Sequence, residues 1–272
     1  MKNIGLGVIS AAVMLAASTA GVINSEEGTA LRAKNIGETE IIDGESYILT
    51  FYDDFDSDEL NTANWEYCPE WERADRGGRW SGDMVSVSDG VLKLTTSFDE
   101  KENRCKSGAI RSKGLFEQAY GYFEASMKLQ QAPGFWSAFW LMTPEQGKIG
   151  NGGRDGCEID IMEAYSYKDK MINHALHWDG YGEHHQSSGK NEQLDIYDGE
   201  FHTFALKWTK ERYYFYVDDE LMWDTDDGGV SEVKTYLKLT LEVGSWAGEI
   251  DKSSLPSGIE VDYIRVYQFE NE

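Results

Sequence analysis

From about residue 46 onward, apolar residues recur at every second position in short runs separated by turn residues. In "MVSVSDGVLKLTT", Val85 and Val87 alternate with polar residues, and Leu92 and Leu94 do the same beyond Asp89-Gly90. Period-two alternation on both sides of an Asp-Gly pair predicts two strands joined by a tight hairpin. "YLKLTLEV" puts Leu237, Leu239, Leu241 and Val243 on one face and Lys238, Thr240 and Glu242 on the other. "RYYFYVDDELMW" reads as two strands around Asp218-Asp219, and "VDYIRVYQF" alternates again near the C-terminus. No run carries a helical period long enough for a typical helix, and strands do not alternate with helices. The expected class is all-β, one antiparallel β-sandwich without an internal repeat or a second domain.

The N-terminus departs from this pattern. Lys2 precedes an apolar run rich in glycine and alanine that ends in Ser18-Thr19-Ala20, a small-residue pattern suited to signal peptidase. Residues 1–20 are therefore expected to be a secretory signal, residues 21–45 a polar lead-in, and residues 46–272 the folded domain. The expected location is extracellular. No other stretch is apolar enough to cross a bilayer, so no membrane association is expected once the signal is removed.

Charge narrows the partners. The 272 residues include 49 acidic and 25 basic side chains, a net charge of −24, which argues against nucleic acid or an anionic membrane surface. Hydrophobic content of 40%, with 13% aromatics, supports a folded core rather than a disordered chain. A monomer is expected.

Three cysteines in an exported chain leave one over if two pair. Cys157 adjoins Glu158 on the opposite strand face and should point into the core. That leaves Cys68 and Cys105 as the expected disulfide.

The densest chemistry is in "CEIDIMEAY", residues 157–165, where Glu158, Asp160 and Glu163 crowd a short apolar segment. Like charges so close resist ionising together. On a regular strand Glu158 and Asp160 share a face while Glu163 points away. One extra residue at Ile161-Met162, a β-bulge, restores the phase and turns all three to one side; bulges are enriched beside active sites. The outer Cα atoms are then about 13 Å apart, four strand steps. Two glutamates leaning together from there can approach the ~5–5.5 Å carboxyl separation of a retaining glycosidase. A solvated acidic face and a calcium site remain open as readings of this segment. The apolar neighbours Ile159, Ile161 and Met162 count against the first, and the flatness of a strand counts against the second.

"EIDIME" resembles the active-site signature of glycoside hydrolase family 16, in the bulged form of its laminarinase-like members. "FYDDFD" with "LNTANWE", residues 119–142, "FHTFALKWTKERYYFYVDDEL" and "EVDYIRVYQ" resemble further blocks of that family in the same order, covering most of residues 50–268. The resemblance implies a β-jelly-roll sandwich with a concave face forming an open substrate cleft. It implies Glu158 as nucleophile, Glu163 as general acid/base and Asp160 as the assisting carboxylate. Trp136 and Trp140, four apart on one strand face, are implied to line the cleft, with Trp246, Trp80, Arg111 and His177 near the sugar subsites. It also implies a structural calcium on the convex face, held by the side chain of Asp262 and the carbonyl of Gly90. No cofactor is expected for catalysis, since His174 and His177 are three apart and point oppositely on a strand.

The implied function is an exported endo-acting retaining β-glycanase with a polysaccharide substrate, β-1,3- or mixed-linkage β-1,3-1,4-glucan. The alternatives are a hydrolase of algal galactans (agarase- or carrageenase-like) and a noncatalytic glycan-binding sandwich. Three departures from the laminarinase pattern stand out: Ser137 replaces a common proline, "EYCPEWERADRGGRW" replaces a subsite loop, and Asp219 replaces a common glycine. The loop puts the choice of glycan in doubt, because loops at the rim of a cleft select the ligand.

Overall fold

The computed structural model describes residues 34–72 and 78–271. The expected signal, residues 1–20, lies outside the described residues. The strands run β1 (Thr39–Ile42), β2 (Glu45–Asp53), β3 (Glu66–Tyr67), β4 (Arg79–Trp80), β5 (Val85–Ser88), β6 (Val91–Asp99), β7 (Arg104–Ser107), β8 (Ala109–Arg111) and β9 (Gly121–Lys128). They continue with β10 (Trp136–Met142), β11 (Glu158–Ser166), β12 (Met171–Trp178), β13 (Gln186–Gln193), β14 (His202–Trp208), β15 (Tyr213–Val217), β16 (Glu220–Thr225), β17 (Tyr236–Glu242) and β18 (Ser257–Phe269). Among the described residues no helix is long and apolar enough to cross a membrane.

Two sheets form the sandwich. One holds β16-β15-β14-β9-β18-β6-β7-β4 in that order, with β1 and β2 joined through β18 and β5 paired to β6. The other runs β13-β12-β11-β10-β17-β8-β3 and carries the candidate site. Pairing is antiparallel apart from the short β4–β7 contact. This is the all-β jelly-roll sandwich that the alternating pattern and the resemblance led us to expect.

The hairpins form where the turn residues allow a positive φ. Asp89 and Gly90, at φ 59° and 75°, join β5 to β6, and Asp218 and Asp219, at 49° and 64°, join β15 to β16. Asp219 thus accepts a left-handed conformation where glycine would be less strained. The expected lead-in is shorter than residues 21–45, because Thr39–Ile42 pair with Glu45–Ile48 through a turn at Asp43 and Gly44. That strand was hidden because its burial alternates only weakly and Ile41 is exposed.

Between the sheets, Leu237, Leu239 and Leu241 of β17 meet one buried cluster that includes Phe123, Phe204, Val261 and Ile264. Each such side chain contributes roughly 1.5–3 kcal/mol when fully buried. The opposite face of β17, with Lys238, Thr240 and Glu242, is also buried, and it floors the groove. The polar half of the alternation therefore marks a binding surface rather than a solvated one.

The expected Cys68–Cys105 disulfide is absent; all three cysteines are free and buried. Cys68 follows β3 in the groove-bearing sheet, where it packs with Trp80 and Ala109. Cys105 lies in β7 of the other sheet and joins the main core. The two thiols serve separate clusters on separate sheets. Cys157 is buried in the main core, on the side of β11 away from Glu158.

Candidate active site

The bulge in β11 is present and is seen from both neighbours. Asp160 and Glu163, three apart, pair with Ala175 and Asn173 of β12, two apart. Against β10, Met162 pairs with Phe139 and Asp160 with Trp140, so Ile161 is the extra residue. Its carbonyl accepts a hydrogen bond from Nδ1 of buried His174 at 2.6 Å, which satisfies a group the interrupted ladder leaves over. Burial holds His174 down at about 4, so it is neutral and serves the fold. Ile161 and Met162 enter the core, while Glu158, Asp160 and Glu163 all line the groove.

The three carboxylates are 8%, 3% and 8% exposed, low enough for desolvation to dominate their titration. Burial pushes Glu163 up to about 8; a hydrogen bond from Asn173 opposes this and the charge of Glu158 adds to it. Glu163 is held at both oxygens, by Trp136 Nε1 at 3.1 Å and Asn173 Nδ2 at 3.1 Å. Glu158 rises to about 7 through burial, opposed by a hydrogen bond from the Tyr181 hydroxyl to Oε2 and by the charge of Lys238. Asp160, between them, is raised well above the usual carboxylate range by burial and then by Glu163 and Glu158. Its Oδ2 has no hydrogen-bond partner among the described residues. His177 Nε2 lies 3.4 Å from that oxygen. Because burial and His185 hold His177 at about 4, it is neutral, and the contact is not an ion pair.

The groove has a volume of about 1010 Å³, and each aromatic or basic residue named from the sequence lines it: Trp80, Arg111, Trp136, Trp140, His177 and Trp246. Trp136 and Trp140 face it while Ser137 and Phe139 are buried behind them. Ser137 donates to Gln130 Oε1 at 2.7 Å, an interaction that proline could not make. Trp246 stacks on Tyr165 with ring centroids 4.1 Å apart and meets Trp136 edge-on at 5.0 Å. Sequence reasoning missed Tyr181, Asn173 and Lys238. Asn173 could have been found by counting across the bulge, whereas Lys238 was read only as part of the polar face of β17. Tyr181 sits in the loop after β12, and no pattern in the sequence pointed to it.

Among the described residues, Glu158, Asp160 and His177 bring one ligand-capable atom each within 4.8 Å of the others. A cation there would occupy carboxylates that acid–base chemistry needs free. On the other sheet, Asp262 follows Val261, which pairs with Leu92, two residues from Gly90. Burial raises the Asp262 carboxyl, and the charges of Asp54 and Asp56 add to this against Arg265.

Paired carboxylates in an aromatic groove on a jelly-roll sandwich are the arrangement that a glycosidase of the two-carboxylate class requires. The family model for glycosyl hydrolases family 16 matches residues 74–265, and the chain belongs to that family. It is 27% identical over 254 residues to a keratan-sulfate endo-1,4-β-galactosidase of Sphingobacterium multivorum, covering 87% of this chain and 60% of that protein. It is 25% identical over 251 residues to a β-glucanase of Rhodothermus marinus, covering 81% and 85% respectively. Among solved structures, a non-specific endo-β-1,3(4)-glucanase of the same family superposes with a TM-score of 0.71 at 26% identity, covering 86% of this chain and 96% of the other.

Proposed function

We propose that this chain is an exported, endo-acting, retaining β-glycanase whose first substrate class is β-1,3- or mixed-linkage β-glucan. The observation that carries the reading is the bulge, which turns Glu158, Asp160 and Glu163 into one groove. An open groove, rather than a closed pocket, suits attack within a long chain. Similarity to enzymes described as β-glucanases and endo-β-1,3(4)-glucanases supports the glucan.

In this reading Glu158, ionised, attacks the anomeric carbon while Glu163 gives its proton to the leaving oxygen. The glycosidic bond breaks and an ester to Glu158 forms. That ester is neutral, so the part of the rise at Glu163 that came from the charge of Glu158 is lost and Glu163 becomes more acidic. Glu163 then takes a proton from water, whose oxygen displaces Glu158 and restores the starting configuration. Asp160 stays protonated and lends its proton to Glu158, holding that carboxylate in its attacking orientation. Asn173 and Trp136 fix Glu163 for both of its steps.

A second reading, an endo-acting hydrolase of β-galactans, is favoured by one observation: two basic side chains, Lys238 and Arg111, line the groove of a strongly acidic chain. Similarity to a protein described as a keratan-sulfate endo-1,4-β-galactosidase agrees with it. Product analysis over laminarin, lichenan, agarose, carrageenan and keratan sulfate, with the anomer followed by NMR, decides among these. Release of the inverted anomer would rule out the retaining assignment. No reducing ends from any glycan would return the chain to a noncatalytic binding role. We also propose a monomer with a calcium ion at Asp262 and Gly90 that stabilises the fold. Chelation should then lower the melting temperature without changing turnover at 25 °C.

A further inference from the structure

Lys238 is the least expected residue in the groove. It is 7% exposed, and its strand neighbours put Trp140 on one side and Arg111 on the other. Its ammonium lies 3.7 Å from the ring centroid of Trp140 and 4.6 Å from that of Trp80. No hydrogen bond or ion pair joins it to a carboxylate among the described residues. Two cation–π contacts stabilise the desolvated ammonium modestly. Burial works against the charged ammonium, and the contacts offset that cost only in part. Between two indoles, a leucine or methionine would pack without that cost.

Arg111 compounds the problem. Directly opposed residues on neighbouring strands have Cβ atoms about 4.5–5.5 Å apart, and like charges there repel. Arg111 donates through Nε to Glu66 at 2.6 Å, and none of the described residues bonds its two terminal nitrogens. Balancing Glu158 does not explain the pair, because the hydrogen bond to Glu158 Oε2 comes from Tyr181 and a single lysine would suffice. Glu158 and Glu242 favour the charged ammonium through space, against its burial, but neither accepts a hydrogen bond from it.

We propose that Lys238 and Arg111 form a binding position for an anionic substituent, a sulfate ester or a carboxylate, carried by a sugar of the substrate. The position lies on the β17–β8 side of the carboxylates, because Lys238 pairs with Trp140, and Trp140 with Asp160. An anion bridging the two cations would remove their mutual repulsion and supply the acceptor that the ammonium lacks. Trp80 and Trp140 hold the ammonium in place and keep water from screening it. This inference rests on the glycanase reading and deepens its second form: the glycan selected is acidic.

The test measures affinity by calorimetry on the full chain carrying Glu163→Gln, which prevents turnover. The ligands are a sulfated β-galactan oligosaccharide, its desulfated counterpart, and an oligosaccharide of equal length bearing a uronate. At least one anionic ligand should bind tenfold or more tightly than the desulfated one, and the margin should shrink as salt is raised. The better of the two identifies the substituent. Adding Lys238→Met should bring the ratio close to one. Equal binding of charged and neutral ligands overturns the proposal, as does a preference that survives in the methionine variant. Should that variant fail to fold, the comparison without it decides. Cleavage of neutral and acidic glycans at equal rates by the native chain removes this proposal and leaves the glycanase standing. A chain that binds and cleaves no glycan at all removes both.

Discussion

Tyr181 donates its hydroxyl hydrogen to Oε2 of Glu158, so a residue from the loop after β12 holds a carboxylate that β11 presents. Burial and the charge of Glu158 raise the phenol far above neutrality, so Tyr181 remains a donor throughout the working range. A donor to the ionised form favours that form. Tyr181→Phe should therefore move the acid limb of kcat/KM to higher pH, by about one unit, a loss of about tenfold below that limb. An acid limb that does not move would show that this bond does not tune the nucleophile.

Glu158→Ala should abolish hydrolysis while preserving the fold. Azide should restore turnover of an activated aryl glycoside and yield a product of inverted configuration, identified by NMR. If azide gives the inverted product with Glu163→Ala instead, the two roles are exchanged.

The native pH profile should be a bell near neutrality, rising as the set ionises at about 7 and falling as it loses the next proton at about 8. These limbs belong to the coupled carboxylates as a group. Stability follows the same groups. A carboxyl raised in the folded state leaves the unfolded chain to ionise first, so stability is lost as pH climbs from about 4.5 to about 8. Glu163→Gln should flatten that decline and be on the order of 1–3 kcal/mol more stable than the native chain at pH 9. Equal slopes in thermal melts across this range would contradict the raised value.

Deleting Met162 puts the three carboxylates at i, i+2 and i+4, which aligns them without a bulge. The variant also loses a fully buried side chain, at a cost of about 2–5 kcal/mol. It should melt earlier yet retain more activity than Glu163→Ala. Inserting a residue at the same point should remove activity. A deletion variant that folds natively with no more activity than Glu163→Ala would mean that the bulge does more than restore phase.

Unfolding without reductant should release three titratable thiols, and the native protein should react slowly at all of them. A count of one would restore the Cys68–Cys105 bridge.

The strands and the carboxylate triplet were legible because both are written in local periodicity. The bulge could be read from the spacing in "EIDIME", since a phase error within a strand has few remedies. The cysteines were not legible, because Cys68 and Cys105 serve different clusters on different sheets, and spacing along the chain does not report this. Lys238 was seen on the polar face of β17 but not understood, because alternation separates faces without saying which of them meets solvent. Tyr181 reaches Glu158 from a loop, and a loop contact leaves no period to read.

Glu158 and Glu163 belong to one strand, and β10 and β12 pin that strand on its two sides. A sheet flexes most readily between strands, by changes of twist and splay, and least readily along one. In the proposed function, the groove can therefore open or close across β11, β10 and β17 around an entering polysaccharide while the gap between Glu158 and Glu163 stays nearly constant. Such an arrangement would work as a rigid gauge within a compliant trough: walls on different strands would adapt to the incoming glycan, and the carboxylate spacing on which the proposed stereochemical outcome depends would not.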